Sequence, residues 1–491
     1  MASLFLLILL FAARLAVGEQ TPAPQAPRKR PRPWRIGDEC PTEIIVTSIP
    51  NAQGRFPNME TIHTALLNCP NITTLKMEAH WDHGCVVMGN PYWMSLPFDP
   101  WGGERYQSAL EVLTLDGYES DATGPPDPRY NRVSPEELEH NSQSSVPRVK
   151  DLDLLASTSE PERKKYSFDW WIETMDFSKL HTLHFVREGA YLGGNRYSLT
   201  ENVANVLPPR LTGLRKLGLY FSLGQRFILR LPRNSLQSLA WRFPFQHDLW
   251  DKEYRRSDLP QNSPLVPVLQ HQGASLKYLY FHADETPSAS VPALSIAGIQ
   301  HIIELAPGLN SLTIDLQRHN NTHDWPWEEL KLLAQGLPEL VDLTVYVDLF
   351  NKTYCRENYF NPYDDGRKLW KIAKVADCVE ACIAKPRVDE YSVADIARFL
   401  WKYKSGKALH RFTLRAGDWM PRRIHMGGPG DFEGRRAQGR CTVVDAVRHV
   451  DALGPIRCEA WSTDLYSTRS IGALPLEATR GSEDTYLDYF R

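Results

Sequence analysis

Apolar residues recur along this chain at one fixed spacing. In Leu214-Arg215-Lys216-Leu217-Gly218-Leu219-Tyr220 aliphatic side chains hold the first, fourth and sixth positions, with polar or aromatic residues between them. Ten copies follow one another, opening at Ile72, Leu110, Val149, Leu180, Leu214, Leu236, Leu276, Leu309, Leu340 and Leu409. A degenerate eleventh opens at Leu453, with Ile456 and Cys458. In an extended strand the fourth and sixth positions point to one face, while the first turns inward where the strand begins. A strand this short cannot close a core alone, so the copies must stack side by side. An ordinary α/β protein with both sheet faces covered would show continuous apolar runs. Here Thr, Asp, Lys and Tyr interrupt the runs in step.

Between the strands the period changes. Met59 to Cys69 reads as a short amphipathic helix stopped by Pro70. Ser295 to Leu305, carrying Ile296, Ile299, Ile302 and Ile303, leads through Pro307 into the Leu309 strand. Trp327 to Leu333 leads through Gly336 and Pro338 into the Leu340 strand. The gap from Leu340 to Leu409 has room for another unit. It holds helices near Lys368 to Ala384 and Ser392 to Lys404, with no strand evident between them. Residues 119 to 147 and 247 to 264 are too polar or Pro-rich for a helix and read as exposed loops.

On these copies the chain resembles the leucine-rich-repeat family, in an irregular form with a helix in each unit. Fungal leucine-rich-repeat proteins of F-box type are the nearest in pattern. The resemblance covers roughly residues 59 to 420. It implies an α/β fold: a leucine-rich-repeat-like solenoid with a parallel strand per repeat and helices or loops on the outer side. The usual Asn or Cys beyond each strand is replaced, by His80, Tyr118 and Ser222 among others. The side-chain amide ladder of a regular horseshoe is therefore missing.

The organisation expected is a signal peptide over 1–18, a basic Pro-rich tail over 19–35, the solenoid over 36–420 and a capping region with a loose end over 421–491. The signal reading rests on the apolar run from Leu4 to Ala13 and the small-residue pattern Ala16-Val17-Gly18. That run is well short of the roughly 20 residues a membrane span needs. A secreted protein is the expectation.

The formal net charge of −3 gives no global pull toward nucleic acid or an anionic surface. Eight cysteines suit an oxidising compartment. Cys378 and Cys382 share a face of a predicted helix, with Cys355 upstream, and Cys441 and Cys458 bracket another. Their connectivity stays open. Glycosylation sequons occur at Asn71, Asn320 and Asn351.

No nucleophile elbow, phosphate-binding loop, zinc-protease helix or dinucleotide fingerprint is present. His80-Trp81-Asp82-His83 is the densest cluster of potential metal ligands, and it reads as polar loop residues. No metal, cofactor or catalytic residue is expected. The outward positions of each copy carry the better signal. In a stacked array they make one continuous surface, the concave face that the resemblance implies. Tyr220, Arg242, Tyr278, Tyr280, His282 and Tyr346 give its middle the composition of an interface hot spot.

The function expected is a secreted, non-enzymatic protein binding another protein or macromolecule through that face. One alternative is an intracellular substrate-recognition subunit of a ubiquitin ligase, for which Cys40 to Ile45 faintly resembles the opening of an F-box. The other is a divergent secreted hydrolase.

Overall fold

The computed structural model describes residues 32–49, 55–79, 96–98, 103–118, 167–188, 201–220, 224–243, 264–283, 293–318, 324–348, 385–417, 436–443 and 456–463. Its strands are β1 (Glu43–Ile49), β2 (Thr74–Ala79), β3 (Val112–Tyr118), β4 (Thr182–Glu188), β5 (Lys216–Tyr220), β6 (Ser238–Phe243), β7 (Tyr278–Ala283), β8 (Ser311–Asp315), β9 (Asp342–Val347), β10 (Arg411–Gly417), β11 (Arg436–Val443) and β12 (Ile456–Thr463). They form one open twelve-stranded sheet whose spatial order is the sequence order. The neighbours from β1 to β10 are parallel. The last two junctions are antiparallel.

Every parallel strand begins in the same way. The carbonyl of Arg215 accepts the N–H groups of Gln237 and Ser238, at 2.8 and 3.1 Å. The same paired acceptance occurs at all nine parallel junctions, on Thr42, Thr73, Glu111, His181, Arg215, Gln237, Lys277, Asn310 and Val341. A carbonyl has two lone pairs, so one oxygen satisfies both donors as the chain turns into the strand. Identical backbone geometry at successive junctions is the local mark of a repeat, and the architecture is compatible with a repeat solenoid.

The interior is built from the apolar spacing. Leu75, Leu113, Leu183, Leu217, Leu239, Leu279, Leu312, Leu343 and Phe412 stand opposite one another across β2–β10. None is more than 2 % exposed. The described first-position residues, from Ile72 to Leu409, are buried beside them. Each such side chain removed from water stabilises the fold by about 1.5–3 kcal/mol.

Helices alternate with the strands: α1 (Met59–Asn68), α2 (Ser167–Thr174), α3 (Glu201–Val206), α4 (Gly224–Leu229), α5 (Leu265–Gln272), α6 (Ile296–Leu305), α7 (Trp327–Gly336) and α8 (Glu390–Tyr403). Their N-termini are closed where the sequence supplies an acceptor. Asn58 accepts from Thr61 N at 2.9 Å, Ser295 caps α6, and Asp389 with Ser392 forms a capping box on α8. α8 buries Val393, Ile396, Ala397 and Leu400, one face at helical spacing. From α4 to α8 each helix packs on the next, so the outer layer repeats along with the strands.

Three expectations change, and one left open is settled. Glu43–Ile49 is a strand paired with β2, where an F-box would open a helical module. Its register shows why the spacing count passed over it. Ile44 and Val46 hold the fourth and sixth positions, but Pro41 takes the place of the first aliphatic residue. The Val149 copy, with Leu152 and Leu154, lies outside the described residues, and β3 pairs directly with β4, so no rung stands between them. Likewise β9 pairs directly with β10, so the long gap before Leu409 inserts no strand into the sheet. The degenerate copy at Leu453 is not a parallel rung. Ile456 and Cys458 belong to β12, which runs antiparallel to β11. A parallel strand needs a long crossover, whereas here a Cys441–Cys458 disulfide joins two residues directly opposite each other.

A second disulfide, Cys40–Cys69, ties the chain just before β1 to the C-terminal end of α1. Cys355, Cys378 and Cys382, the helix expected at 368–384 and residues 444–455, where a helix is expected between Cys441 and Cys458, lie outside the described residues. Among the described residues no helix is long and apolar enough to cross a membrane.

Candidate functional site on the strand face

Strand alternation sends every second side chain away from the apolar interior, and the parallel register sorts these side chains into rows. Lys216, Ser238, Tyr278, Ser311, Asp342 and Arg411 stand on consecutive strands from β5 to β10. Behind them run Gly218, Ala240, Tyr280, Thr313, Thr344 and Thr413, with Arg440 continuing the row on β11. Further along the strands come Tyr220, Arg242 and His282, then Asp315, Tyr346, Arg415 and Gln438.

The first two rows enclose a cleft of about 310 Å³. Its lining includes the short side chains Ser238, Ser311, Thr313, Thr344 and Thr413, and the longer Lys216, Tyr278, Tyr280, Asp342, Arg411, Arg415 and Arg440. The cause of the depression is residue size. Ser and Thr on adjacent strands leave the sheet low, and the longer side chains rise around it. Four of the lining residues are cations and one is a carboxylate. That carboxylate, Asp342, lies 3.2 Å from an Arg411 guanidinium nitrogen.

The third row is packed rather than open. His282 Nδ1 lies 2.6 Å from Asp315 Oδ1, which places its proton on that nitrogen, since the carboxylate can only accept. The His282 ring stacks on Tyr346 with centroids 3.8 Å apart. Arg415 donates through Nη1 to the Tyr346 hydroxyl at 2.8 Å and through Nε to Gln438 Oε1 at 2.8 Å. A buried polar chain thus runs across β7–β11 and holds Arg415 at the cleft wall. Burial, with Tyr346 close by, raises the Tyr280 hydroxyl well above the usual phenol range against the pull of Arg242, so it stays a donor.

The residues singled out in the sequence separate here. Arg242, Tyr280, His282 and Tyr346 come together but are buried, because the long side chains of this face pack on one another. Tyr278, 42 % exposed, stands at the cleft. Tyr220 pairs with Arg242 in register, and its side chain is outside the described ones. Asn71 is exposed at the turn before β2, while Asn320 and Asn351 lie outside the described residues. So do His80, Asp82 and His83, and among the described residues no group of His, Cys, Asp or Glu is arranged to hold a metal ion. Choosing bulky outward residues overlooked Lys216, Arg440 and the hydroxyl row. The signal was Thr at the fifth position of three successive copies, Thr313, Thr344 and Thr413.

Near the cleft, the His184 ring lies against Gly218. A Cβ on Gly218 would come within 2.5 Å of the ring. Burial, with Lys76 and Lys216 nearby, holds the His184 imidazole well below the usual histidine range. It is neutral in the folded chain and takes up a proton on unfolding once the pH drops below about 6.5. Unfolding then binds more protons than folding, so stability is flat above that pH and declines below it. The decline from this one site approaches about 1.4 kcal/mol per pH unit. His63, also lowered by burial despite the opposing pull of Glu104, adds a decline of the same sign. Urea midpoints measured from pH 7.5 down to pH 5 will fall, and less steeply in His184→Gln.

No protein-family model matches the chain, and no curated protein sequence matches it.

Proposed function

We propose that the protein is a secreted, non-enzymatic leucine-rich-repeat solenoid that binds a macromolecular partner through its strand face. The observation that carries this reading is the cleft contributed by seven consecutive strands, β5 to β11. Its chemistry favours holding a ligand over transforming one. Arginine and lysine side chains recognise charge but are poor proton carriers near neutral pH, and the one lining carboxylate among the described residues is engaged by Arg411. The repeated strand start and the sequential strand order support the repeat assignment. Two disulfides support an oxidising compartment and favour it over the ubiquitin-ligase reading. The apolar Leu4 to Ala13 stretch supports export.

Glycan and protein microarrays probed with the full chain test the surface. Tyr278→Ala will weaken a selected interaction by about tenfold or more, as loss of an interface aromatic does. Tyr391→Ala, on α8 and 83 % exposed, will leave it unchanged. Equal effects from the two substitutions, or none from Tyr278→Ala, would remove the strand face from consideration.

A further inference from the structure

We infer that the cleft is a binding site for an acidic oligosaccharide, whose carboxylate or sulfate groups meet Lys216, Arg411, Arg415 and Arg440. This rests on the strand-face reading and names the ligand class for it. Three independent features of the lining converge.

The first is charge. The cations come from β5, β10 and β11 and so lie on both sides of the hydroxyl row. Lys216 is half-buried and makes no ion pair among the described residues. Arg411 is oriented by Asp342, and Arg415 by Tyr346 and Gln438. Guanidinium groups held in place in this way lose little further freedom on meeting an oxyanion.

The second is Ser238. It is only 2 % exposed, its hydroxyl has no hydrogen-bond partner among the described residues, and it lines the cleft. A buried hydroxyl without a partner is costly, by about 1–3 kcal/mol. A ligand hydroxyl or acid oxygen reaching the floor relieves that cost. On the far side of β7, Ser311, Thr313, Thr344 and Thr413 offer the same kind of surface, able to donate and accept as sugar hydroxyls do.

The third is Tyr278, which offers a partly exposed ring beside the hydroxyl floor, an apolar plate on which a pyranose face can rest. A peptide is the poorer fit. Strands β6–β10 are hydrogen-bonded on both sides, so the cleft has no free strand edge for an extended chain to join.

Calorimetry on the full chain, in low and high salt, tests this with four probes: a galacturonate hexasaccharide, a sulfated heparan-type hexasaccharide, neutral maltohexaose and a hexaglutamate peptide. At least one acidic saccharide will bind about tenfold more tightly than maltohexaose, and salt will weaken it. Uronate binding alone assigns carboxylate recognition, and sulfated binding alone assigns sulfate recognition. Lys216→Gln will weaken that binding about five- to tenfold. Ser238→Ala will weaken it while leaving the melting temperature unchanged or raised, because it deletes an unsatisfied group. Equal binding of maltohexaose, equal binding of hexaglutamate, indifference to both substitutions, or no saccharide binding would each overturn the inference. If saccharides fail while Tyr278→Ala still abolishes an array interaction, the ligand class falls and the strand-face reading stands. If Tyr278→Ala is also silent, both fall.

Discussion

Leu217→Asp will abolish cooperative folding at room temperature. Leu217 is fully buried between Leu183 on β4 and Leu239 on β6, in the row that runs through the stack. Truncating a buried leucine alone costs about 2–5 kcal/mol. The carboxyl that replaces it must remain charged in apolar surroundings or take up a proton, and either adds a few kcal/mol more. The sum is comparable with the whole stability of an ordinary domain, about 5–15 kcal/mol. In a stacked array it also falls on a junction between neighbours, where coupling along the array is broken. Circular dichroism will show no cooperative melting transition. The control is one residue away. Lys216 points to the other face, and Lys216→Gln will stay within about 0.5 kcal/mol of the parent. Equal destabilisation by the two would mean that the alternation of inside and outside along β5 is wrong.

That contrast also marks what the sequence made legible. The apolar spacing located nine of the strands and the direction of their buried residues, because burial on one face dictates a two-residue period whatever the partner strand. Spacing alone says nothing about pairing. Val149, Leu152 and Leu154 satisfy it, yet β3 and β4 are neighbours, whereas β1 violates it at Pro41 and still joins the sheet. Among the described strands β1 stands at the sheet edge, with β2 as its one neighbour. The cleft was harder to see. Thr313, Thr344 and Thr413 become neighbours only through register, and Ser238 joins them across Tyr278. Arg440 joins them through a hairpin in which Cys441 is bonded to Cys458, a feature with no parallel-repeat signature. For Tyr280 and His282, both buried, alternation gives a face and not a depth. The stacking of His282 on Tyr346 closes that part of the surface.

Gln272→Met will destabilise the chain by about 3 kcal/mol or more, although it preserves length and nearly preserves volume. Backbone groups in the turn before a strand lie outside the strand ladder and need other partners, and Gln272 supplies them from the end of α5. It is completely buried. Its Oε1 accepts from Ser235 N and Leu236 N at 2.9 and 3.1 Å, and its Nε2 donates to Pro232 O at 2.8 Å. One amide from the following repeat therefore closes three backbone groups of the loop that leads into β6. Methionine fills the space but supplies no strong donor or acceptor, and the orphaned groups cannot reach water without opening the loop. Each buried group left unsatisfied costs about 1–3 kcal/mol. Hydrogen exchange separates this mechanism from a packing defect. Amides of Ser235 and Leu236 will lose protection first, ahead of those in β8 and β9. A stability loss under about 1 kcal/mol, the range of a volume-conserving swap, would mean that the repeat holds its loops without side-chain amides at all.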